Sequence, residues 1–158
     1  MSSLDEILDG AAGALGAANS EDAAERLLHM NHFMLAFERL SQLNLDRLDA
    51  LPAVRTWATK NARPLMAARR ALEDWSLESG RLFYGGGEEE AERALERRSR
   101  FQVVCEVFRA TDAGEWLQAF ASDDVDQDYR EQAAQCALDP PDWVPRSHTW
   151  WYWREGRQ

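Results

Sequence analysis

Two histidines and a glutamate near the start of the chain have the residue types and the spacing of metal ligands. Glu25, His29 and His32 stand at positions i, i+4 and i+7, which share one side of an α-helix. Two imidazoles and one carboxylate can bind zinc or iron. A metal site in a helical bundle also needs Glu or His from facing helices, and His148 is the one further histidine. These three residues are therefore candidate metal ligands, against the simpler interpretation that they are polar residues beside a core stripe.

An arginine in the same stretch suggests a different chemistry. Arg26 and His32 are separated by five residues, a spacing that resembles the Arg-x(4–6)-His motif of the HEPN ribonucleases, which are small helical proteins. In that family the arginine and histidine are implicated in RNA cleavage, as a stabilising cation and a general acid–base group. Leu27 follows the arginine here, where the family usually has a polar residue. The resemblance implies a small ribonuclease centred on Arg26, His29 and His32.

Acidic residues are clustered further along the chain. Asp124, Asp126 and Asp128 alternate like the first ligands of a calcium loop, but Tyr129 and Gln135 stand where that loop needs glycine and a bidentate glutamate. The cluster is then either acid placed at a helix start, where it stabilises the helix dipole, or an anionic edge for an arginine-rich partner. The candidate partner-binding carboxylates are Asp123, Asp124, Asp126 and Asp128.

The end of the chain is unusually rich in large aromatic residues. Exposed Trp and Tyr dominate the binding energy of protein interfaces, whereas buried ones can close the open end of a helical bundle. Both interpretations remain open for this segment. The candidate partner-binding aromatics are Trp143, Trp150, Trp151, Tyr152 and Trp153.

The charge of the chain narrows the class of partner. Eighteen Lys and Arg against 28 Asp and Glu give a net charge of −10. Because binding to a phosphate backbone uses clustered cations, this balance argues against direct nucleic-acid binding and favours a basic protein partner. Cys105 and Cys136 belong to no metal or redox motif, and both stand among apolar residues on predicted helices, so both are expected to be buried free thiols. No cofactor is predicted.

Helical signals recur through most of the chain. Ser3 and Glu6 form a capping box for a first helix, and Asn19 or Ser20 is expected to cap a second that ends near Leu43. Pro52 is predicted to open a third helix.

Proline and glycine mark the boundaries that follow. Pro64 is predicted to open a fourth helix that ends at Gly80. The run Gly85-Gly86-Gly87 is predicted to form the connection to a fifth helix. In that fifth helix the arginines after residue 96 are interpreted as complementing the helix dipole. Asp139-Pro140-Pro141 cannot continue a helix, so an extended or irregular segment should follow.

We predict an all-α, single-domain helical bundle of five to seven helices over residues 1–138, with an extended Pro- and Trp-rich C-terminal segment over 139–158 that packs on the bundle or on a partner. No apolar run approaches the ~18 residues that cross a bilayer, and no secretion signal is present, so a cytoplasmic location is expected. The leading hypothesis is an acidic inhibitor or immunity-type protein that neutralises a basic partner, such as a nuclease toxin or another nucleic-acid-handling protein. The alternatives are a metal-dependent or HEPN-like enzyme, and an assembly subunit that docks through its aromatic tail on another chain or on a second copy.

Overall fold

A computed structural model of the chain describes residues 3–43, 45, 47–120, 123–136 and 138–145. Over these ranges the chain is helical and contains no strand, which confirms the all-α bundle and its predicted number of helices. No helix in them is both long and apolar enough to span a membrane. The elements are α1 (Leu4–Ala17), α2 (Ala23–Gln42), a 3-10 turn (Leu48–Ala50), α3 (Pro52–Ala67), α4 (Arg69–Gly85), α5 (Glu88–Val107), α6 (Ala113–Gln118) and α7 (Asp123–Cys136).

Three local signals form the structures that the sequence predicts. The hydroxyl of Ser3 accepts a hydrogen bond from the Glu6 N–H and caps α1. Pro52 occupies the first turn of α3, where a missing N–H costs nothing. The glycine run ends α4, and a Cβ on Gly86 would lie 2.3 Å from the Cβ of Glu90, so only glycine allows this close turn. α5 then starts at Glu88.

Three predicted boundaries are wrong. Asp22, not Asn19 or Ser20, caps α2, because its carboxylate accepts from the Glu25 N–H. Pro64 lies inside α3, which continues to Ala67. This proline is solvent-exposed, so water can satisfy the carbonyl that loses its helical partner. α4 continues past Gly80 to Gly85, and its packing on α5 and α2 compensates for the ~1 kcal/mol that a mid-helix glycine costs.

The core is centred on α2 and α5. α2 packs against α1, α4 and α5, while α5 also contacts α3, α6 and α7. Phe37, Trp57 and Phe108 bring α2, α3 and the end of α5 together, with ring centroids 5.5 to 6.4 Å apart. The Trp57 indole N–H donates to the Leu8 carbonyl at 2.9 Å, which ties α3 to α1. These contacts bury an apolar side of α2 that includes Met30, Phe33, Phe37 and Leu40.

A smaller apolar cluster forms where α7 lies on α5. Leu95 of α5 packs there with Tyr129 of α7, and Leu138 and Val144 from beyond α7 complete the cluster. Residues 138–145 are irregular, as the prolines predict. The rest of the predicted C-terminal segment, residues 146–158, lies outside the described residues, so its extended conformation and the boundary at residue 139 stay predictions.

Three arginines in the middle of α5 pair with acids on three different helices. Arg97 bonds to Glu78 of α4 at 2.9 Å, and Arg100 bonds to Glu38 of α2 at 2.8 Å. Arg98 bonds to Asp126 of α7 at 2.6 Å. The guanidinium of Arg97 also donates to the carbonyl of Trp75 and lies 4.4 Å from the centre of its ring. These side chains connect helices through ion pairs, a role that the dipole interpretation missed because it considered α5 alone.

The two cysteines are free thiols. Burial raises the pKa of Cys105 to about 12, so this side chain is a neutral thiol at physiological pH. The prediction that both thiols are buried is wrong for Cys136, which is half-buried and whose sulfur accepts a hydrogen bond from the Gln132 amide at 3.2 Å.

Candidate binding cavity

A cavity of about 150 Å³ lies between α4, α5 and α7. Its existence follows from three small residues of α4, Ser76, Ser79 and Gly80, which line it at helical spacing. Protein interiors are close-packed, so side chains of ordinary size at these positions would fill the space. The volume matches that of a cavity that holds a benzene-sized group, roughly 150 Å³.

Five of the residues that line the cavity are aromatic. Trp75 and Phe101 meet at its base, with ring centroids 6.3 Å apart, and both are almost fully buried. Tyr129 of α7 is also buried, and Phe120, which follows α6, is partly so. Tyr84 stands at the outer edge, where 60% of it is exposed. The wall therefore passes from buried rings to one ring that an incoming group can reach.

A buried ion pair closes one side of the cavity. Arg98 donates to both carboxylate oxygens of Asp126, at 2.6 and 3.0 Å, and also to the Gln102 side-chain oxygen at 3.0 Å. The side chains of Arg98 and Asp126 are 11% and 5% exposed, so the pair is largely desolvated. This fork geometry gives each carboxylate oxygen a charged donor. The two charges compensate each other and leave this wall polar but without net charge.

An exposed carboxylate lies beside the outer edge. The Tyr84 hydroxyl donates to Asp128 at 2.7 Å, which connects α4 to α7. Deeper in the site, burial and the nearby charge of Asp126 raise the pKa of Tyr129 to about 12, although Arg98 and Arg97 lower it. Tyr129 is therefore a neutral phenol at physiological pH. The negative charge at the outer edge belongs to Asp128.

The predicted partner-binding residues occupy different environments. Asp126 is 3% exposed and engaged by Arg98, so it shapes the cavity and presents no carboxylate to solvent. Asp128 is exposed. Asp123 and Asp124 form the first turn of α7, and their side chains lie outside the described residues.

The aromatic candidates at the end of the chain divide similarly. Trp143 is half-buried, and the guanidinium of Arg100 lies 5.7 Å from its ring centre. This residue therefore packs on the bundle. The other four candidates, Trp150, Trp151, Tyr152 and Trp153, lie outside the described residues.

The candidate catalytic and metal-binding residues of α2 make contacts that differ from one residue to the next. Arg26 is buried and donates to Asp74 of α4 at 3.2 Å and to the carbonyls of Ser20 and Glu21. It thereby holds the start of α2 against α4. Glu25 accepts from the Ser20 hydroxyl.

The two imidazoles lie on the outer part of α2. The rings of His29 and His32 stand edge to face with centroids 6.0 Å apart, and His32 is exposed. In the part of the chain that the structure describes, no three His, Cys, Asp or Glu side chains are grouped so that they could hold a metal ion.

Most of the cavity was not apparent in the sequence. Trp75 and Phe101 read as ordinary core residues because helical periodicity reports burial and not the space beside a buried ring. The available signal is the small set Ser76, Ser79 and Gly80 around Trp75, which marks a helix face that a bulky neighbour does not fill.

Comparison with family models, with curated proteins and with solved structures finds no significant match to this chain.

Proposed function

We propose that this protein is a small acidic binding module that attaches to a basic protein and neutralises it, in the manner of an inhibitor or immunity protein. The partner class is a nuclease toxin or another nucleic-acid-handling protein, whose cationic surface such a module would cover. The cavity between α4, α5 and α7 carries the proposal, because its aromatic wall opens beside the carboxylate of Asp128.

The chemistry of this opening suits a cationic side chain. The faces of Tyr and Trp rings attract guanidinium and ammonium groups, by ~0.5–2 kcal/mol depending on desolvation. Tyr84 offers an exposed ring, and Asp128 is an acceptor beside it. Because Asp126 already neutralises Arg98, the wall does not repel an incoming cation. An arginine or lysine of the partner would therefore place its charged end against Tyr84 and Asp128.

The negative charge of the surface around α7 also favours a basic partner. On α7 and the segment after it, a single described basic side chain, Arg130, is exposed among several exposed acids. Opposite potentials raise the rate at which two proteins meet, and rim charges affect that rate more than the final affinity. The exposed acids are Asp128, Glu131, Asp139 and Asp142.

The catalytic alternatives draw less support from the contacts. Arg26, which a HEPN-like mechanism needs as a free cation, donates to Asp74 and to two backbone carbonyls. These bonds assign it to the α2–α4 contact. The assembly-subunit alternative depends on the aromatic tail and stays a prediction.

The proposal is tested by capturing the partner from the native host and then measuring binding with both proteins purified. We expect a basic partner whose association rate falls at least tenfold between about 50 and 300 mM salt. Asp128→Asn should slow association more than Asp9→Asn, which removes the same charge from the exposed face of α1.

The aromatic contact has its own variant pair. Tyr84→Ala should accelerate dissociation roughly tenfold or more, since truncated interface tyrosines cost ~2 kcal/mol. Leu28→Ala removes a comparably exposed apolar side chain from α2 and should leave dissociation unchanged. An acidic partner, salt-independent association or equal effects of the paired variants would each overturn the proposal.

A further inference from the structure

The segment from Pro52 to Leu72 has a charge opposite to that of the whole chain. It contains no Asp or Glu, although the chain carries a net charge of −10. Five of the 18 basic residues of the chain fall within it. They are Arg55, Lys60, Arg63, Arg69 and Arg70.

Helix geometry places three of these cations on the outer side of α3. Val54, Trp57, Ala58, Ala62 and Leu65 of α3 are buried against the bundle. The residues between them face solvent, and Arg55 and Arg63 are two turns apart, a rise of ~12 Å along the helix axis. The exposed polar residues of this side, called here the α3 basic face, are Arg55, Thr56, Thr59, Lys60 and Arg63.

The cations of this face lack the partners that other arginines of the molecule have. Among the described residues, Arg55, Lys60, Arg63 and the neighbouring Arg70 form no ion pair. Arg69 differs, because it pairs with Glu73 at 2.7 Å. The positive charge of α3 is thus not compensated within the described fold.

The face also lacks the anchors of a protein interface. Hot spots between proteins are enriched in buried aromatic side chains, but the large apolar residues exposed in the described chain are Leu28, Leu45, Leu77 and Tyr84, none of them on α3. Single-stranded nucleic acid binds through stacking on aromatic rings, which this face does not offer. Exposed Arg and Lys side chains are instead the usual donors to phosphate oxygens of a duplex, whereas the Thr59 hydroxyl already donates to the Arg55 carbonyl at 2.9 Å.

We propose that the α3 basic face binds the phosphate backbone of double-stranded nucleic acid without reading its sequence. This inference goes beyond the proposed function and does not depend on it. It departs from the expectation drawn from total charge, because at physiological salt the Debye length is about 8 Å and acids on distant faces are largely screened. A local row of cations then determines what can approach α3.

The test is fluorescence anisotropy of a labelled DNA duplex of about 20 base pairs at about 150 mM salt, where the distant acids are screened, with a salt titration around this value. The variant R55Q/K60Q/R63Q should weaken binding at least tenfold and reduce the slope of log K against log salt by about two to three units. The control R81Q/R93Q/R130Q removes three exposed arginines from α4, α5 and α7 and reaches the same net charge. It should change binding less than about twofold.

Three outcomes would overturn the proposal. In the first, the wild-type protein does not bind the duplex. In the second, both triple variants weaken binding equally. In the third, the protein binds polyglutamate or single-stranded DNA as tightly as the duplex. The second would assign binding to total charge, and the third to an acidic protein or to base stacking. Thermal melts of both triple variants check that each remains folded, as we expect for exposed substitutions. The assay contains no protein partner, so its result does not depend on the proposed function.

Discussion

Arginines on α5 and α3 carry the same charge but are used in opposite ways. Arg97, Arg98 and Arg100 of α5 lie at helix contacts, and each meets an acid from another helix. The cations of α3 lie on a side that no neighbouring helix covers. The difference shows that an arginine becomes structural where packing brings it a carboxylate, and stays available to a ligand where packing does not.

The largest effect that this comparison predicts comes from Asp126→Ala. The substitution leaves the Arg98 guanidinium buried without its bidentate acceptor, and removing one partner of a buried ion pair costs ~3–5 kcal/mol. Denaturant unfolding followed by circular dichroism measures the loss. Asp128→Ala removes an exposed aspartate two residues further along α7, together with the hydrogen bond that it accepts from Tyr84, and serves as the control, with an expected loss of ~1 kcal/mol or less. Equal losses for the two variants would show that the Arg98 pair does not stabilise the fold.

A second, smaller effect is expected from Arg97→Met. The methionine keeps the apolar stem but cannot donate to the Trp75 carbonyl, the Ser79 hydroxyl or Glu78. The Trp75 carbonyl still accepts from the Ser79 hydroxyl, and the Glu78 side chain is 35% exposed, so losing these three bonds should cost ~2 kcal/mol in the free energy of unfolding. A methionine variant as stable as the wild type would mean that the desolvation of Arg97, which lowers the pKa of this arginine, cancels its hydrogen bonds.

Removing the charge of Glu96 is expected to stabilise the protein, whereas the two preceding substitutions are expected to destabilise it. Burial raises the pKa of its carboxyl group, even though nearby Arg100 lowers it. The native state therefore holds the Glu96 proton more tightly than the unfolded state does. The stabilisation from this group is complete below the unfolded pKa of ~4.3 and is lost as the pH rises through the raised value.

Glu96→Gln should consequently stabilise the protein by ~0.5 kcal/mol near pH 7. The gain should shrink towards pH ~4, where the wild-type carboxyl group is itself protonated. Thermal melts across this pH range measure it. A variant that loses stability at neutral pH would contradict the burial argument.

The smallest effect is predicted for the α3 basic face. R55Q/K60Q/R63Q removes three cations that have no described ion pair, so the free energy of unfolding should change by no more than ~0.5 kcal/mol. The same denaturant assay as for Asp126→Ala allows a direct comparison. A loss above ~2 kcal/mol would place these residues among the structural arginines.

Periodicity and capping predicted the helices well, because they depend on residues close together in sequence. Ser3, Pro52 and the glycine run at 85–87 act locally, and each forms the expected boundary. Pro64 shows where prediction from local sequence fails. Its effect depends on whether the carbonyl one turn earlier faces solvent, which the sequence does not state.

The candidate site was predictable only in part. The acidic character of the start of α7 is visible in the sequence, but Asp126 turns inward because Arg98 lies opposite it, 28 residues earlier in the chain. The cavity depends on Ser76, Ser79 and Gly80 lying beside Trp75 and facing α7, which is a tertiary arrangement. The unpaired cations of α3 were missed because the charge was counted over the whole chain.

Hydrogen–deuterium exchange of the protein with and without its purified basic partner tests the binding proposal most directly. We expect the partner to slow exchange in α7 and in residues 76–84 of α4, around Tyr84 and Asp128, while exchange in α3 stays unchanged. Protection confined to α3 or α1, with α7 and α4 unaffected, would contradict the assignment of the binding site to the cavity.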